Sequence, residues 1–261
     1  MISKTAHLDM KIHTAREIPD VYKSRLYWEQ YFKERGLWPE MLAYDPTYQK
    51  YSGEVDREFA EFQLAAVLTT PHRVVGVAHS VPLHIADSSA RLPDTGWDFA
   101  LESSVANRRA GIRPNAVCGL SITVLPEFQR RGVGRRLIEA IVAVADRYKI
   151  QRVVMPVRPV SKEKWPNVSM EEFLTFKRDD GFHIDPWVRA HQRSGGRILS
   201  ICRHSMTVSA ALSKWEHWSG RTFSKSGEYV VKGCLAPVII DTVKGIGLYR
   251  EPNVWMAHTS V

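Results

Sequence analysis

Arginines and glycines cluster near the middle of the chain, where Gln129 is followed by RRGVGRR. Upstream, the stretch from Ala116 to Val124 consists mostly of small and β-branched residues, a composition typical of a buried strand. Downstream, apolar residues recur at helical spacing. The N–H groups in the first turn of a helix have no partner inside that helix, and the helix dipole favours an anion there. The pattern therefore predicts a strand, a phosphate-binding turn and a helix.

Two familiar phosphate motifs do not fit this turn. A Rossmann dinucleotide site needs a third glycine where this chain has Leu137, and a P-loop needs a Gly-Lys-Ser/Thr ending that the sequence lacks. The turn resembles instead the Gln/Arg-x-x-Gly-x-Gly/Ala acetyl-CoA motif of the GNAT acyltransferase family, which reads QRRGVG here from Gln129 to Gly134. Pro126 lies between the strand and the motif, as a proline does in that family.

The resemblance implies an α/β fold in which helices flank a mixed, twisted central sheet, with a C-terminal extension. We expect one domain over residues 1–261, with a core at about 62–208, an N-terminal helical cover at 1–61 and the extension at 209–261. Apolar runs separated by turn residues predict strands at 62–69, 73–82, 151–157 and 197–202. Helices are predicted at 18–37, at 54–61 and after an N-cap at Asp185. Residues 88–115 show no clear period and are predicted to form an irregular insertion.

Roles in donor binding also come from the resemblance. The strand before the turn would part from its neighbour and expose backbone groups to the pantetheine arm at Ile122, Thr123 and Val124. The pyrophosphate of coenzyme A would lie on the N–H groups of the turn, where glycine lets the backbone approach the phosphate and arginine adds charge. The predicted contacts in the turn are Gln129, Arg130, Arg131, Gly132, Val133, Gly134 and Arg135.

Acyl transfer to an amine needs a polarised thioester carbonyl, a deprotonated amine and a proton donor for the departing thiolate. In the resembled family the donor is often a tyrosine four residues before a glycine, and His191 precedes Gly195 by that spacing. Histidine exchanges protons near neutral pH, so His191 is the predicted donor, although a local structural hydrogen bond would explain it as well. Glu102 is the predicted general base, chosen from a group that also contains His84, Asp94 and Asp98.

Bulk properties limit the function further. Apolar residues make up 44% of the 261 residues, without a run of about 18 that could span a membrane. The first residues lack the apolar region of a signal peptide, so we expect a cytoplasmic protein. Cys118, Cys202 and Cys234 are scattered in apolar surroundings, so buried thiols are expected. Histidines and carboxylates show no recognisable ligand spacing, so we expect no metal.

These observations predict an acyl-CoA-dependent N-acyltransferase. It would use acetyl-CoA or another acyl-CoA and transfer the acyl group directly to an amine of a small molecule in a ternary complex. The net charge of +8 suits an anionic donor. An acyl carrier protein would present the same pantetheine arm, and the family is compatible with a homodimer. One alternative is a non-catalytic acyl-CoA-binding or regulatory module on the same fold. Another is a nucleic-acid-binding protein, which the charge suggests but no recognisable motif supports.

Overall fold

A computed structural model describes residues 8–19, 36–86 and 91–258. In this part of the chain, nine strands form one sheet: β1 (Met10–Thr14), β2 (Gln63–Leu68), β3 (Arg73–Leu83), β4 (Ala116–Val124), β5 (Arg152–Val157), β6 (Arg197–Ala211), β7 (Gly227–Tyr229), β8 (Val238–Asp241) and β9 (Ile246–His258). The α-helices of the same ranges are α1 (Pro46–Glu58), α2 (Gly96–Arg109), α3 (Val133–Arg147), α4 (Met170–Phe173), α5 (Pro186–Arg193) and α6 (Leu212–Ser219). Short 3-10 helices lie at residues 40–44, 60–62, 126–128 and 162–164.

The sheet is mixed, with one parallel contact at its centre. The strand order is β1-β2-β3-β4-β5-β9-β8-β7, and β4 and β5 are parallel whereas the other described pairs are antiparallel. The connection between β4 and β5 passes through α3, since parallel neighbours need a crossover. β6 pairs with one edge of β9, while β5 and β8 share the other edge. The predicted mixed sheet with flanking helices is confirmed.

The helix α3 covers the centre of the sheet with an apolar face. Its buried residues recur three and four positions apart, and they are Val133, Leu137, Ile138, Ile141, Val144 and Ala145. They pack in the main core with β3 and β4. Each fully buried aliphatic side chain of this size contributes roughly 1.5–3 kcal/mol of transfer free energy. This packing fixes the N-terminus of α3 beside the end of β4.

Most predicted elements are present, although some boundaries differ. The strands expected at 62–69, 73–82 and 151–157 are β2, β3 and β5, and the one expected at 197–202 continues to Ala211. The helix expected at 54–61 begins earlier, because Asp45 caps α1 by accepting a hydrogen bond from the Tyr48 N–H at 2.9 Å. The helix predicted at 18–37 lies mostly outside the described residues.

The prediction of an irregular insertion at residues 88–115 is wrong, because this segment contains α2. The helix packs on β3 and β6, and its buried positions include Gly96, Ala100 and Ser104. These small residues give little hydrophobic contrast between the two faces of a helix, so the sequence pattern was weak.

The C-terminal segment, for which the sequence predicted a boundary at residue 209, contributes strands to the same sheet. That boundary falls inside β6, and β9 returns to the centre of the sheet beside β5. Residues of the C-terminal segment also form a second core with the 3-10 helix at 40–44. The aromatic side chains of Trp215, Tyr249 and Trp255 in this segment are fully buried.

Candidate functional site

The strands β4 and β5 separate at the centre of the sheet. They pair over Ala116–Cys118 and Arg152–Val154, and no described pairing between them continues further. Leu120 is an extra residue in β4 opposite β3, and a bulge of this kind bends a strand. The opening contains a cavity of about 2320 Å³, which residues 119–124 line on one side and residues 155–158 on the other. The separation of the strands expected from the resemblance is therefore present.

The turn immediately before α3 and the first turn of this helix contain N–H groups that are free of backbone partners in the described chain. Gly132 is the N-cap of α3 with a φ of +81°, and Arg130 also has a positive φ, of +58°. The first hydrogen bond of the helix runs from the Arg136 N–H to the Gly132 carbonyl at 3.0 Å. Within the described chain, the N–H groups of residues 130–135 have no backbone acceptor. Such a set of free donors at a helix N-terminus suits a phosphate.

Gly134 permits close packing between helices. A Cβ atom at this position would lie 3.1 Å from the ring of Trp187, which is tighter than an ordinary contact. Trp187 lies in the first turn of α5, which Asp185 caps by accepting hydrogen bonds from the N–H groups of Trp187 and Val188 at 2.9 Å. The predicted N-cap at Asp185 is confirmed. Gly134 therefore lets α5 approach the turn that precedes α3.

The arginines of the turn occupy different environments. Arg130 and Arg135 line the cavity, and Arg135 also pairs with Glu139 at 2.7 Å. The Arg131 guanidinium lies 5.8 Å from the centre of the Phe128 ring, and Arg131 is not among the described residues that line the cavity. The cavity thus has a positive wall at the turn.

Other predicted donor-site residues also converge on the cavity. Its lining includes Gln129, Gly132 and Gly134 of the turn, and Ile122, Thr123 and Val124 of β4. Gln129 is fixed to the end of β4 by donating to the Val124 carbonyl at 3.1 Å. Val133 is buried beneath the turn. The geometry therefore gathers most of the predicted set, while Arg131 and Val133 lie outside the described lining.

Two tryptophans that the sequence reasoning missed reach the same strand. The indole N–H of Trp38 donates to the hydroxyl of Thr123 at 2.8 Å, and that of Trp97 donates to the Leu120 carbonyl at 3.0 Å. Both tryptophans line the cavity. No sequence signal identified them, because each contact joins segments far apart in the chain. These two hydrogen bonds attach the separated half of β4 to residues distant in the chain.

His191 lines the cavity and forms a buried pair with His258. Its Nδ1 lies 3.0 Å from Nε2 of His258, and its ring packs edge-on against Trp187 at 4.6 Å. Its Nε2 has no hydrogen-bond partner among the described residues. Burial is the main cause that holds the pKa of His191 well below its ordinary value of 6.5, and the neighbouring His258 is the second cause. His191 is therefore neutral near pH 7.

The predicted general base has no support from the geometry. Glu102 is exposed on α2, and the described residues that line the cavity do not include it. Asp98, one turn away, is unsuitable for a different reason. Burial, and then the nearby Asp45, raise the pKa of Asp98 to about 9. Asp98 consequently keeps its proton at neutral pH and cannot accept another.

Two buried polar residues of β9 line the cavity and were also missed. They are Glu251 and Asn253, which are 1% and 3% exposed. Both lie in the segment predicted to be an extension, so their sequence position gave no indication of a site. The pairing of β9 with β5 and β6 carries them to the centre of the molecule.

Several further expectations concern groups that lie elsewhere. All three cysteines are buried, and burial raises the pKa of the Cys118 thiol. Within the described residues, no group of three or more histidines, cysteines or carboxylates is arranged to hold a metal ion. The helices described here are all too short or too polar to cross a membrane.

Comparisons with known proteins agree on one family. Residues 25–163 match the family described as "Acetyltransferase (GNAT) family". The chain is 30% identical over 273 residues to the arginine N-acetyltransferase avaD of Aspergillus versicolor, covering 95% of this chain and 93% of that protein. The loading GNATL domain of CurA from Lyngbya majuscula has a similar fold, with a TM-score of 0.52 at 15% identity over 96% of this chain and 97% of that one. This chain therefore belongs to the GNAT family and is an N-acyltransferase.

Proposed function

We propose that the donor is acetyl-CoA and that the acceptor is a small cationic compound related to arginine. The observation that carries this proposal is the continuous cavity, which the phosphate-binding turn, the separated strands and His191 all line. The relative with 30% identity is named for arginine acetylation, which supports an acceptor of this kind.

Different groups in the wall of the cavity suit the donor and the acceptor. The turn offers Arg130, Arg135 and free N–H groups for the phosphates of coenzyme A. The pantetheine arm would then run between β4 and β5, where backbone groups of residues 122–124 face no paired strand on the β5 side. The rest of the lining carries both signs of charge, with carboxylates at Glu40, Glu163 and Glu251 and cations at Arg158, Arg189, Arg193 and Lys232. The acceptor would therefore be recognised by individual hydrogen-bond acceptors in the cavity wall and not by a net negative charge of the cavity.

The chemistry needs one proton to move from the acceptor to the leaving group. The acceptor nitrogen attacks the thioester carbonyl, its bond to the carbonyl carbon forms, and the carbon–sulfur bond breaks. Neutral His191 can take the proton that the nitrogen loses and return it to the thiolate, since its Nε2 is free in the described structure. His258 holds the other ring nitrogen and so fixes the ring orientation. Backbone N–H groups at the opening of β4 would stabilise the oxyanion.

The test is a free-thiol assay together with a thermal shift. Acetyl-CoA, longer acyl-CoAs and free CoA are compared as ligands, and arginine, agmatine, lysine and neutral citrulline as acceptors. We expect stabilisation by CoA species and thiol release with arginine that is at least tenfold faster than with citrulline. Absence of both stabilisation and turnover would overturn the proposal. Stabilisation without turnover on any acceptor would assign the non-catalytic alternative, and turnover with an acyl carrier protein alone would replace CoA as the donor.

The role of His191 is tested with His191→Phe, which keeps a ring of similar size. We expect kcat to fall at least a hundredfold while the Kd for acetyl-CoA stays within about threefold, because general acid–base catalysis typically contributes a factor of 10² or more. His217→Phe replaces an exposed histidine that also lines the cavity and serves as the matched control. Equal activities of the wild type and His191→Phe would limit His191 to a structural role.

A further inference from the structure

One stretch of β9 faces the cavity without a neighbouring strand. On the edge that β5 and β8 share, β5 pairs with residues 254–258 and β8 with residues 246–248. In the described chain, no strand pairs with this edge between Tyr249 and Asn253. Glu251 and Asn253 are two residues apart, so their side chains project from the same face of the strand. Both line the cavity at this gap.

Asn253, which lines the cavity, contains a buried hydrogen-bond acceptor without a partner among the described residues. Its Nδ2 donates to the Ser205 hydroxyl at 2.9 Å and to the Pro156 carbonyl at 3.3 Å. A carbonyl only accepts hydrogen bonds, so the amide nitrogen must face Pro156 and the orientation of the amide is fixed. The Oδ1 atom is consequently left buried without a partner among the described residues. Leaving such an acceptor unsatisfied costs about 1–3 kcal/mol, which a ligand donor would recover.

Glu251 provides a second acceptor next to it. Its Oε1 accepts from Nε of Arg158 and its Oε2 from the hydroxyl of Tyr249, at 2.8 and 2.9 Å. A carboxylate has about four acceptor positions, so these two bonds leave capacity for a ligand. The Gly233 carbonyl accepts from Nη2 of Arg158, which keeps that guanidinium in place. The Arg158 guanidinium thus neutralises the Glu251 carboxylate and holds it in place. Glu251 is therefore a fixed hydrogen-bond acceptor and not a free negative charge.

We propose that Asn253 Oδ1 and the Glu251 carboxylate form a subsite for the guanidinium group of the acceptor. Residues two apart on a strand are about 7 Å apart along it, a gap that one planar guanidinium can bridge with two hydrogen bonds of about 2.9 Å. A guanidinium carries five N–H donors and no acceptor, and therefore complements the unpartnered Asn253 Oδ1 and the remaining acceptor positions of the Glu251 carboxylate. A neutral urea has fewer donors and places a carbonyl against this subsite. The inference rests on the proposed function, since it assigns the residues that recognise its acceptor.

Calorimetry and kinetics test the subsite with L-arginine and L-citrulline as probes. We expect the wild type to bind arginine at least tenfold more tightly than citrulline. In Asn253→Leu and Glu251→Gln, the arginine KM should rise at least tenfold and the preference over citrulline should fall to less than threefold. The Kd for acetyl-CoA should stay within about threefold. Glu163→Gln removes an exposed carboxylate from the same cavity and should change none of these values.

The outcomes separate the subsite from the function. If Glu163→Gln reduces arginine preference as much as Glu251→Gln does, recognition is by general negative charge and the subsite is overturned. If the wild type prefers arginine and both Asn253→Leu and Glu251→Gln keep that preference, the function stands and the subsite fails. If acetyl-CoA does not bind, the proposed function fails, and arginine binding by calorimetry still tests the subsite. A crystal structure of the wild type with arginine and CoA decides the matter if the variants do not fold, and a guanidinium away from Asn253 contradicts the inference.

Discussion

At the scale of single residues, two glycines of the same turn are required for different physical reasons. Gly132 has a left-handed backbone, and a Cβ atom there would meet no atom within 4 Å. Gly134 needs space, because Trp187 occupies the region that a side chain would fill. A substitution at Gly132 therefore tests the conformation of the turn without displacing a neighbour.

Gly132→Ala should weaken both the fold and donor binding. Alanine in a left-handed conformation costs roughly 1–2 kcal/mol of stability, and relief of this strain would rotate the N–H groups of the turn. We expect the Kd for acetyl-CoA, measured by calorimetry, to rise at least tenfold. Gly181→Ala is the matched control, because Gly181 has a φ of +78° and equally open surroundings away from the cavity lining. Gly181→Ala should lose a similar free energy of unfolding in urea but keep the wild-type Kd for acetyl-CoA. If Gly132→Ala and Gly181→Ala bind acetyl-CoA equally well, the turn has no role in binding.

At the scale of elements, a pair of carboxyl groups joins α1 to α2. Asp45, the N-cap of α1, accepts hydrogen bonds from the N–H groups of Tyr48 and Thr207 at 2.9 Å. Asp98 on α2 lies beside it, and burial together with Asp45 raises the pKa of Asp98 to about 9 from an ordinary 3.8. The proton that Asp98 retains allows two carboxyl groups to share one buried site.

This pair makes stability depend on pH in a defined direction. Between about pH 4 and pH 9 the folded protein holds a proton on Asp98 that the unfolded chain releases, so this contribution to the free energy of unfolding decreases as pH rises. Asp98→Asn can still donate a hydrogen bond to Asp45 and cannot ionise. We expect this variant to be more stable than the wild type at pH 8 and to show a flatter dependence in urea unfolding from pH 5 to 8. Asp179→Asn removes an exposed carboxylate and is the control. If the stability of Asp98→Asn changes with pH in parallel with that of the wild type, Asp98 does not hold the buried proton.

At the scale of the whole molecule, β9 joins the N-terminal and C-terminal parts of the fold. It pairs with β5, β6 and β8, and Trp255 is fully buried within it. The indole N–H of Trp255 donates to the Pro93 carbonyl at 2.8 Å, which attaches the segment before α2 to the sheet. The strand therefore supports both the core and the cavity wall at Glu251 and Asn253.

Trp255→Ala should destabilise the entire protein. Removing a buried tryptophan of this kind typically costs 3–5 kcal/mol, since the surroundings collapse only partly into the space. We expect one cooperative unfolding transition, shifted to lower urea concentration. Val243→Ala, at a residue that is 93% exposed, is the control and should change stability by no more than about 0.5 kcal/mol. A loss below 1 kcal/mol in Trp255→Ala would show that β9 is peripheral to the core.

The parts of the fold that sequence predicted correctly depend on local patterns. β2, β3 and β5 are short apolar runs between turn residues, and α5 begins at an Asp-Pro pair that caps it. The helix α2 was missed because the small residues on its buried face leave no periodic contrast. The predicted strand at 197–202 was shorter than β6. Buried and exposed residues do not alternate regularly along β6, which has two shifts of register against β9, so no period of two marked its full length.

The sequence by itself determined the glycine turn at the start of α3 and the family, because the turn is a continuous segment whose glycines and helix start act locally. Tertiary structure alone decided the rest of the cavity. His258 orients His191 from 67 positions away in the chain, and Trp97 fixes the bulge at Leu120. Glu251 and Asn253 reach the cavity only because β9 pairs with β5 and β6. Such contacts depend on pairing between distant segments, and a one-dimensional pattern does not record which strands become neighbours.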